Sequence, residues 1–427
     1  MTKLTITPLV NGLSATQQET NHALITIEGK RKTEAKRKPV NLVLAIDVSS
    51  SMSGSKLSTV QQAACELIDR LQATDRVGVV SFGSHVEVIH NLELLENRDK
   101  IKNAIRDLAA VGSTALYPGW EKSIELLEAL KLKGRVLLLS DGEANIGLVD
   151  ADQIATKVKE KSKAGLSTST MGVGSHFNED LLEAMALSGE GNYFYVEDLK
   201  KMEEIFAIEL SGVQARIGAS LEVSITPENG ATIVKAVQPH ALLDNKIYVG
   251  SILSGMPINI LVEFTTPLSA KQLEVLKLSA KYNAIDEKNK ETPKTIEASL
   301  ELPVVDSEWM EINQNPQVKE RVAIAKAEEL RQEALTKAAQ GDNAGSIQYL
   351  TQAGAIFGGL ANKSSLVLQE MSMLEAVKTR VETGSFLEAS KLSKSMTYAR
   401  SNALVGDYIA SSFVPPEDKK DPNGDNL

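Results

Sequence analysis

The sequence predicts an α/β domain with a doubly wound, mostly parallel sheet, inserted into an antiparallel β-sandwich and followed by a C-terminal α-helical region. Three observations predict it. Between residues 40 and 211, short aliphatic runs alternate with segments whose apolar residues recur at helical spacing, which is the pattern of βα units. From about 213 to 305 that spacing nearly vanishes, and strand-like runs are separated by Pro, Gly and Asn turns. After "NQNPQ" the chain becomes rich in Ala, Glu, Lys and Leu, and helical spacing returns.

The first residues, "MTKLTITPLV", alternate apolar and polar side chains, and Leu4, Ile6, Leu24, Ile25 and Ile27 give residues 1–38 the character of the later sheet. If these strands belong to that sheet, the α/β domain of 39–212 interrupts it. The stretch "GKRKTEAKRK", with six Lys or Arg against one Glu, is then the solvated crossing linker. Within the α/β domain, "NLVLAIDV", "RVGVVSF", "VEVIHN", "RVLLLSD", "STSTMGVG" and "NYFYV" read as strands. Several are continuously apolar, as strands covered by helices on both faces should be. "VVSFGSHVEVI" reads as two strands about a short turn, so one antiparallel edge strand is expected. From Lys56, "KLSTVQQAACELIDRLQ" repeats Leu57, Val60, Ala64, Leu67, Ile68 and Leu71 on one helical face. The sandwich occupies 213–308 and the helices 309–412; the tail 413–427, with Pro, Gly and charge but no apolar payload, is expected to be disordered.

At 427 residues the chain exceeds one ordinary core. A formal charge of −10 repels phosphate backbones and anionic lipid, and aromatic residues make up only 4%, so nucleic acid is a poor partner. Cys65 is the single cysteine, which excludes an intrachain disulfide and a Cys-rich zinc site and fits a reducing compartment. No stretch approaches the roughly 18 apolar residues of a membrane span, and the N-terminus has no apolar signal core. A cytoplasmic location is expected.

"AIDVSSSMSG" places four serines and an aspartate behind a buried strand. In an open parallel sheet, ligands bind beyond the carboxyl ends of the strands, where strand order reverses. Asp47, Ser49 and Ser51 alternate as D-x-S-x-S, so a loop leaving the strand can turn all three oxygens to one point. Two more oxygen-bearing loops leave strand or helix ends: "VGSTALYPGW" with Thr114 and "LLLSDGEANIG" with Asp141. Three neutral hydroxyls and two carboxylates suit Mg²⁺, which takes six oxygens and keeps several waters. An ion bound mainly by neutral oxygens keeps much of its charge and seeks an external anionic oxygen. The bland alternative is that Ser53 or Ser55 simply caps the helix starting near Lys56.

"DVSSSMSG", "GSTALYPG" and "SDGEANIG", in this order, resemble the three loops of the metal-ion-dependent adhesion site in von Willebrand factor A domains, and "TMGVGSHFNEDLLEAMALSGEGNYFYV" is similar to the last third of such a domain. The resemblance covers roughly 40–211 and implies a Rossmann-like fold. It implies that Ser49, Ser51 and Thr114 ligate the ion directly while Asp47 and Asp141 hold its waters. Mg²⁺ is the expected ion, with Mn²⁺ or Ca²⁺ as alternatives. The resemblance also implies protein recognition rather than catalysis, with a partner that supplies a Glu or Asp carboxylate; AAA-type ATPases are among the implied partners.

Enzymatic readings find less support. Ser53 and Lys56 form S-x-x-K, but the S-D-N and K-T-G companions are lacking, as are a G-x-S-x-G elbow and a Walker loop. His22, His85, His90, His176 and His240 are scattered and form no close pair. A metal-assisted hydrolase would need a base among Asp47, Asp141 and Glu143, of which Glu143 is the one to test. A third reading makes the C-terminal helices a docking arm, since "YLTQAGAIFGGLANKS" resembles a tetratricopeptide-like pair; two pairs fall short of a solenoid, and packing on the sandwich as a cap is the simpler role. The sequence therefore points to a non-enzymatic, Mg²⁺-dependent adaptor.

Overall fold

The computed structural model describes residues 2–16, 18–29, 39–141, 144–174, 177–196, 205, 206, 209, 215–237, 242–286, 290–360 and 364–401. The basic stretch from residue 30 to 38, Glu143, His176, His240 and the tail 413–427 lie outside the described residues. The chain divides into two compact units, one of residues 32–220 and 285–290 and the other of residues 1–31, 221–284 and 291–427.

The first unit contains β3 (Asn41–Asp47), α1 (Ser55–Arg70), β4 (Arg76–Phe82), β5 (Val86–Leu94), α2 (Arg98–Arg106), α3 (Leu116–Ala129), β6 (Gly134–Ser140), α4 (Ala151–Lys163), β7 (Leu166–Val173), α5 (Glu179–Ser188) and β8 (Glu190–Val196). The strands form one sheet in the order β5-β4-β3-β6-β7-β8. Neighbours are parallel except β4 and β5, whose short connection leaves β5 antiparallel at the edge. Central β3 buries every residue from Leu42 to Asp47, and β7 is buried throughout, because helices cover the sheet where hydrophobic side chains leave both faces. Helix α1 buries Leu57, Val60, Ala64, Leu67 and Ile68, the stripe its spacing predicts. Strand order reverses at β3, with β4 on one side and β6 on the other, so the loops after β3 and β6 open at the switch point.

A buried polar cluster ties β6, β7 and β8 together. Arg135 pairs with Glu209 at 2.6 Å, and the same carboxylate accepts from Ser169 at 2.6 Å and from Asn192 at 2.5 Å. Both charges are almost fully enclosed, so the bonds replace the water that burial removes.

The second unit contains β1 (Lys3–Pro8), β2 (Glu19–Glu28), β9 (Arg216–Pro227), β10 (Thr232–Ala236), β11 (Lys246–Leu253), β12 (Pro257–Thr266), β13 (Leu273–Ile285) and β14 (Glu291–Leu302), the start of β9 lying in the first unit. Two four-stranded sheets run in the orders β1-β2-β12-β10 and β11-β9-β13-β14. β2 and β12 pair antiparallel from Glu28 opposite Pro257 to Glu19 opposite Thr266, although the whole α/β unit separates them in sequence. The helices are α6 (Ser307–Ile312), α7 (Pro316–Ala339), α8 (Asn343–Ile356), α9 (Ser365–Glu382) and α10 (Phe386–Ser401). α7 starts with Pro316 behind an Asn315 cap, whose side chain accepts from the Val318 amide at 3.1 Å. Its Val318 and Val322 pack with Leu24, Val237 and Leu261, so the helical region covers one face of the β2 and β12 sheet.

Candidate metal centre

Asp47 is the last residue of β3 and is fully buried. Its Oδ1 accepts the backbone N–H of Ser49 at 2.8 Å, which curls the loop back over the strand end, and its Oδ2 accepts the Ser140 hydroxyl at 2.5 Å. Burial pushes the Asp47 carboxyl above its usual range, while the bonds from Ser140 and Ser49 pull it back and the nearby Asp141 charge adds to the rise. A nearby cation favours the ionised form of such a buried carboxyl.

The loop continues through a single 3₁₀ turn, Ser50–Met52, to Gly54, which stands at φ +82° immediately before α1. Only glycine adopts that conformation without strain. It makes Gly54 the N-cap and leaves the α1 start without a side-chain cap bond, so neither Ser53 nor Ser55 has the capping role that sequence alone allowed. Ser49 and Ser51 instead turn toward each other, with their Oγ atoms 3.0 Å apart, and the Ser51 hydroxyl donates to Asp141 Oδ1 at 2.7 Å. Asp141, fully buried just past the end of β6, also accepts the Lys56 ammonium at Oδ2. Lys56 donates as well to the Ser51 carbonyl at 3.3 Å.

The second loop is stitched to the first by its backbone. Ser50 N–H donates to Gly112 O and Gly112 N–H to Ser50 Oγ, both at 2.9 Å, and Val111 N–H donates to Val48 O at 2.6 Å. Thr114 is buried, and its N–H donates to the Asn145 side chain at 2.9 Å. The Thr114 carbonyl accepts from the Asn145 and Ile146 amides at 3.2 and 3.3 Å, which joins the second loop to the third.

Asp47, Ser49, Ser51 and Asp141 thus lie on one continuous set of polar contacts through Ser140 and the serine pair, and Thr114 sits in the adjoining loop, placed by its backbone. Among the described residues no group of three or more His, Cys, Asp or Glu could hold a metal ion. The donors here are instead hydroxyls backed by carboxylates, a hard-oxygen set that fits Mg²⁺ chemistry. The cationic Lys56 on Asp141 is a further sign that this cluster attracts positive charge. Sequence reasoning missed the roles of Ser140, Asn145 and Lys56. Ser140 ends β6 directly before Asp141, Asn145 lies in the loop that follows, and Lys56 stands out in the sequence only as part of S-x-x-K.

Residues 41–208 match the von Willebrand factor type A domain profile. The chain is 34% identical over 220 residues to the uncharacterized protein sll0103 of Synechocystis, covering 50% of this chain and 51% of that protein. It is 29% identical over 165 residues to inter-alpha-trypsin inhibitor heavy chain H1 of Sus scrofa, covering 35% of this chain and 18% of that protein. The chain therefore spans about half the length of the first relative and far less of the second. A solved structure described as von Willebrand factor type A from Catenulispora acidiphila superposes with a TM-score of 0.68 at 17% identity, covering 88% of this chain and 89% of that one, a likeness of fold. The chain carries a von Willebrand factor type A domain, a fold known as a protein-interaction module.

Proposed function

We propose that the A domain binds an acidic side chain of a protein partner through a divalent cation, and that the chain acts as a non-enzymatic adaptor. Ser49, Ser51 and Thr114 would hold the ion, with Asp47 and Asp141 backing it. Mg²⁺ is the expected ion, with Mn²⁺ or Ca²⁺ as substitutes. When bound, the ion supplies an electrophile for an external carboxylate. The observation that carries this reading is the contact from Ser49 through Ser51 to Asp141, which joins oxygens 90 residues apart at the carboxyl ends of β3 and β6. The engagement of both oxygens of Asp47 and of Asp141 supports binding over catalysis, because a proton-abstracting base works poorly when its oxygens are already committed. Glu143, the remaining base considered, lies outside the described residues.

The finer architecture belongs to the same proposal. The two four-stranded sheets are read as faces of a β-sandwich interrupted by the A domain, a reading supported by the β2–β12 register. The domain limits are read as 39–212, 213–308 and 309–412, with a cytoplasmic setting and an AAA-type ATPase among the partner classes. Among the described residues no helix is long and apolar enough to cross a membrane.

The test is retention of a partner by the immobilised full chain in Mg²⁺, with elution by EDTA. A partner released by EDTA and not retained by Asp47→Ala or Ser49→Ala is the expected result. Equal retention by both variants, in EDTA and Mg²⁺ alike, overturns metal-mediated capture.

A further inference from the structure

We propose that Lys56 sets how tightly the centre holds its divalent ion, by keeping a competing positive charge on Asp141. The inference rests on the metal-centre reading above and names the residue that limits it. The two oxygens of Asp141 are divided between a hydroxyl and a cation: Oδ1 accepts from Ser51 at 2.7 Å, and Oδ2 accepts from the Lys56 ammonium. The second bond of that ammonium, to the Ser51 carbonyl at 3.3 Å, pins it to the loop that carries the two serine hydroxyls.

The placement is built into the fold. Lys56 lies in the first turn of α1, two residues after Gly54, the glycine that ends the serine loop. Gly174, beyond the end of β7, lines its stem: a Cβ there would stand 3.3 Å from Lys56 Cε. The Lys56 side chain is 27% exposed while Asp141 is fully buried, so the ammonium reaches the cluster from its rim and has water within reach if it leaves.

An ion drawn to Ser49, Ser51 and Asp141 meets this charge in one of two ways. Sharing the carboxylate brings a single and a double positive charge close together. Were the two charges about 4 Å apart, their repulsion would cost roughly thirtyfold in affinity even with the dielectric constant of water. Displacing the ammonium instead breaks an ion pair to a buried carboxylate, which also weakens the net binding. Either route makes Lys56 a brake on metal affinity and, through it, on partner capture.

The experiment is calorimetric titration of Mg²⁺ and Mn²⁺ into the full chain, into Lys56→Met and Lys56→Arg, and into the Ser49→Ala/Ser51→Ala double variant, with circular dichroism to confirm folding. Lys56→Met is expected to bind about tenfold or more tightly than the parent. Lys56→Arg, which keeps the charge, should stay near the parent, and the double variant should lose binding. Equal or weaker binding by folded Lys56→Met, with binding still lost in the double variant, overturns the role of Lys56 and leaves the centre intact. Binding that survives in the double variant, or that no chain shows, overturns both. If Lys56→Met does not fold, Lys56→Gln carries the same comparison, since it keeps a donor for Asp141 without the charge.

Discussion

Asp47 shows how a single buried carboxylate organises a loop. It accepts from Ser49 on its own loop and from Ser140 on the neighbouring strand, so β3 and β6 are linked at their ends by one side chain. His22 on β2 shows the opposite balance. Burial pushes its pKa below the usual value, and the Glu263 carboxylate 3.6 Å away only partly restores it against Lys326 and Lys235. The unfolded chain therefore binds the proton more readily than the folded one, and stability is full above about pH 6.5 and declines as the pH falls through that value. The urea midpoint of the parent should thus drop more between pH 7.5 and 5.5 than that of His22→Gln, and equal drops would remove His22 as the cause.

At the scale of elements, the loops of the candidate metal centre are joined by backbone bonds, and one glycine is pivotal. Gly112 stands at φ +81°, and a Cβ there would come within 2.2 Å of Ser84 Oγ. The residue also exchanges bonds with Ser50 in both directions. Gly112→Ala should destabilise the A domain by about 1–3 kcal/mol in thermal or urea melts, and should weaken Mg²⁺ binding although it removes no oxygen. Unchanged stability and affinity would show that the second loop is placed by other contacts. The buried Arg135–Glu209 pair does similar work elsewhere in the sheet, where Ser169 and Asn192 complete the satisfaction of Glu209.

At the scale of the whole molecule, the helical region is part of the core of its unit. Val318 and Val322 share a cluster with Leu24, Val237 and Leu261, which agrees with the simpler capping role for these helices. A chain ended after Val305 loses those two valines, each worth roughly 1.5–3 kcal/mol when fully buried, and exposes the apolar face of β2 and β12. It should bind a hydrophobic dye and melt earlier in the β unit. A truncated chain with parent-like melting and no dye binding would make the helices an independent arm.

Local pattern carries much of this protein. Runs such as "NLVLAIDV" and the Leu57 to Ile68 stripe identify strands and helices because burial on both faces makes a short strand continuously apolar and burial on one face gives a helix a period of 3.6. The hydroxyl-rich strand end was legible for a similar reason: serines and an aspartate do not continue an aliphatic strand. Contacts between distant segments left no such mark. The β2–β12 register, the cover supplied by α7, the seat of Thr114 against Asn145 and the reach of Lys56 to Asp141 join residues tens to hundreds of positions apart. Only the folded chain decides them, because sequence records which side chain each residue carries, whereas proximity depends on how every intervening element packs.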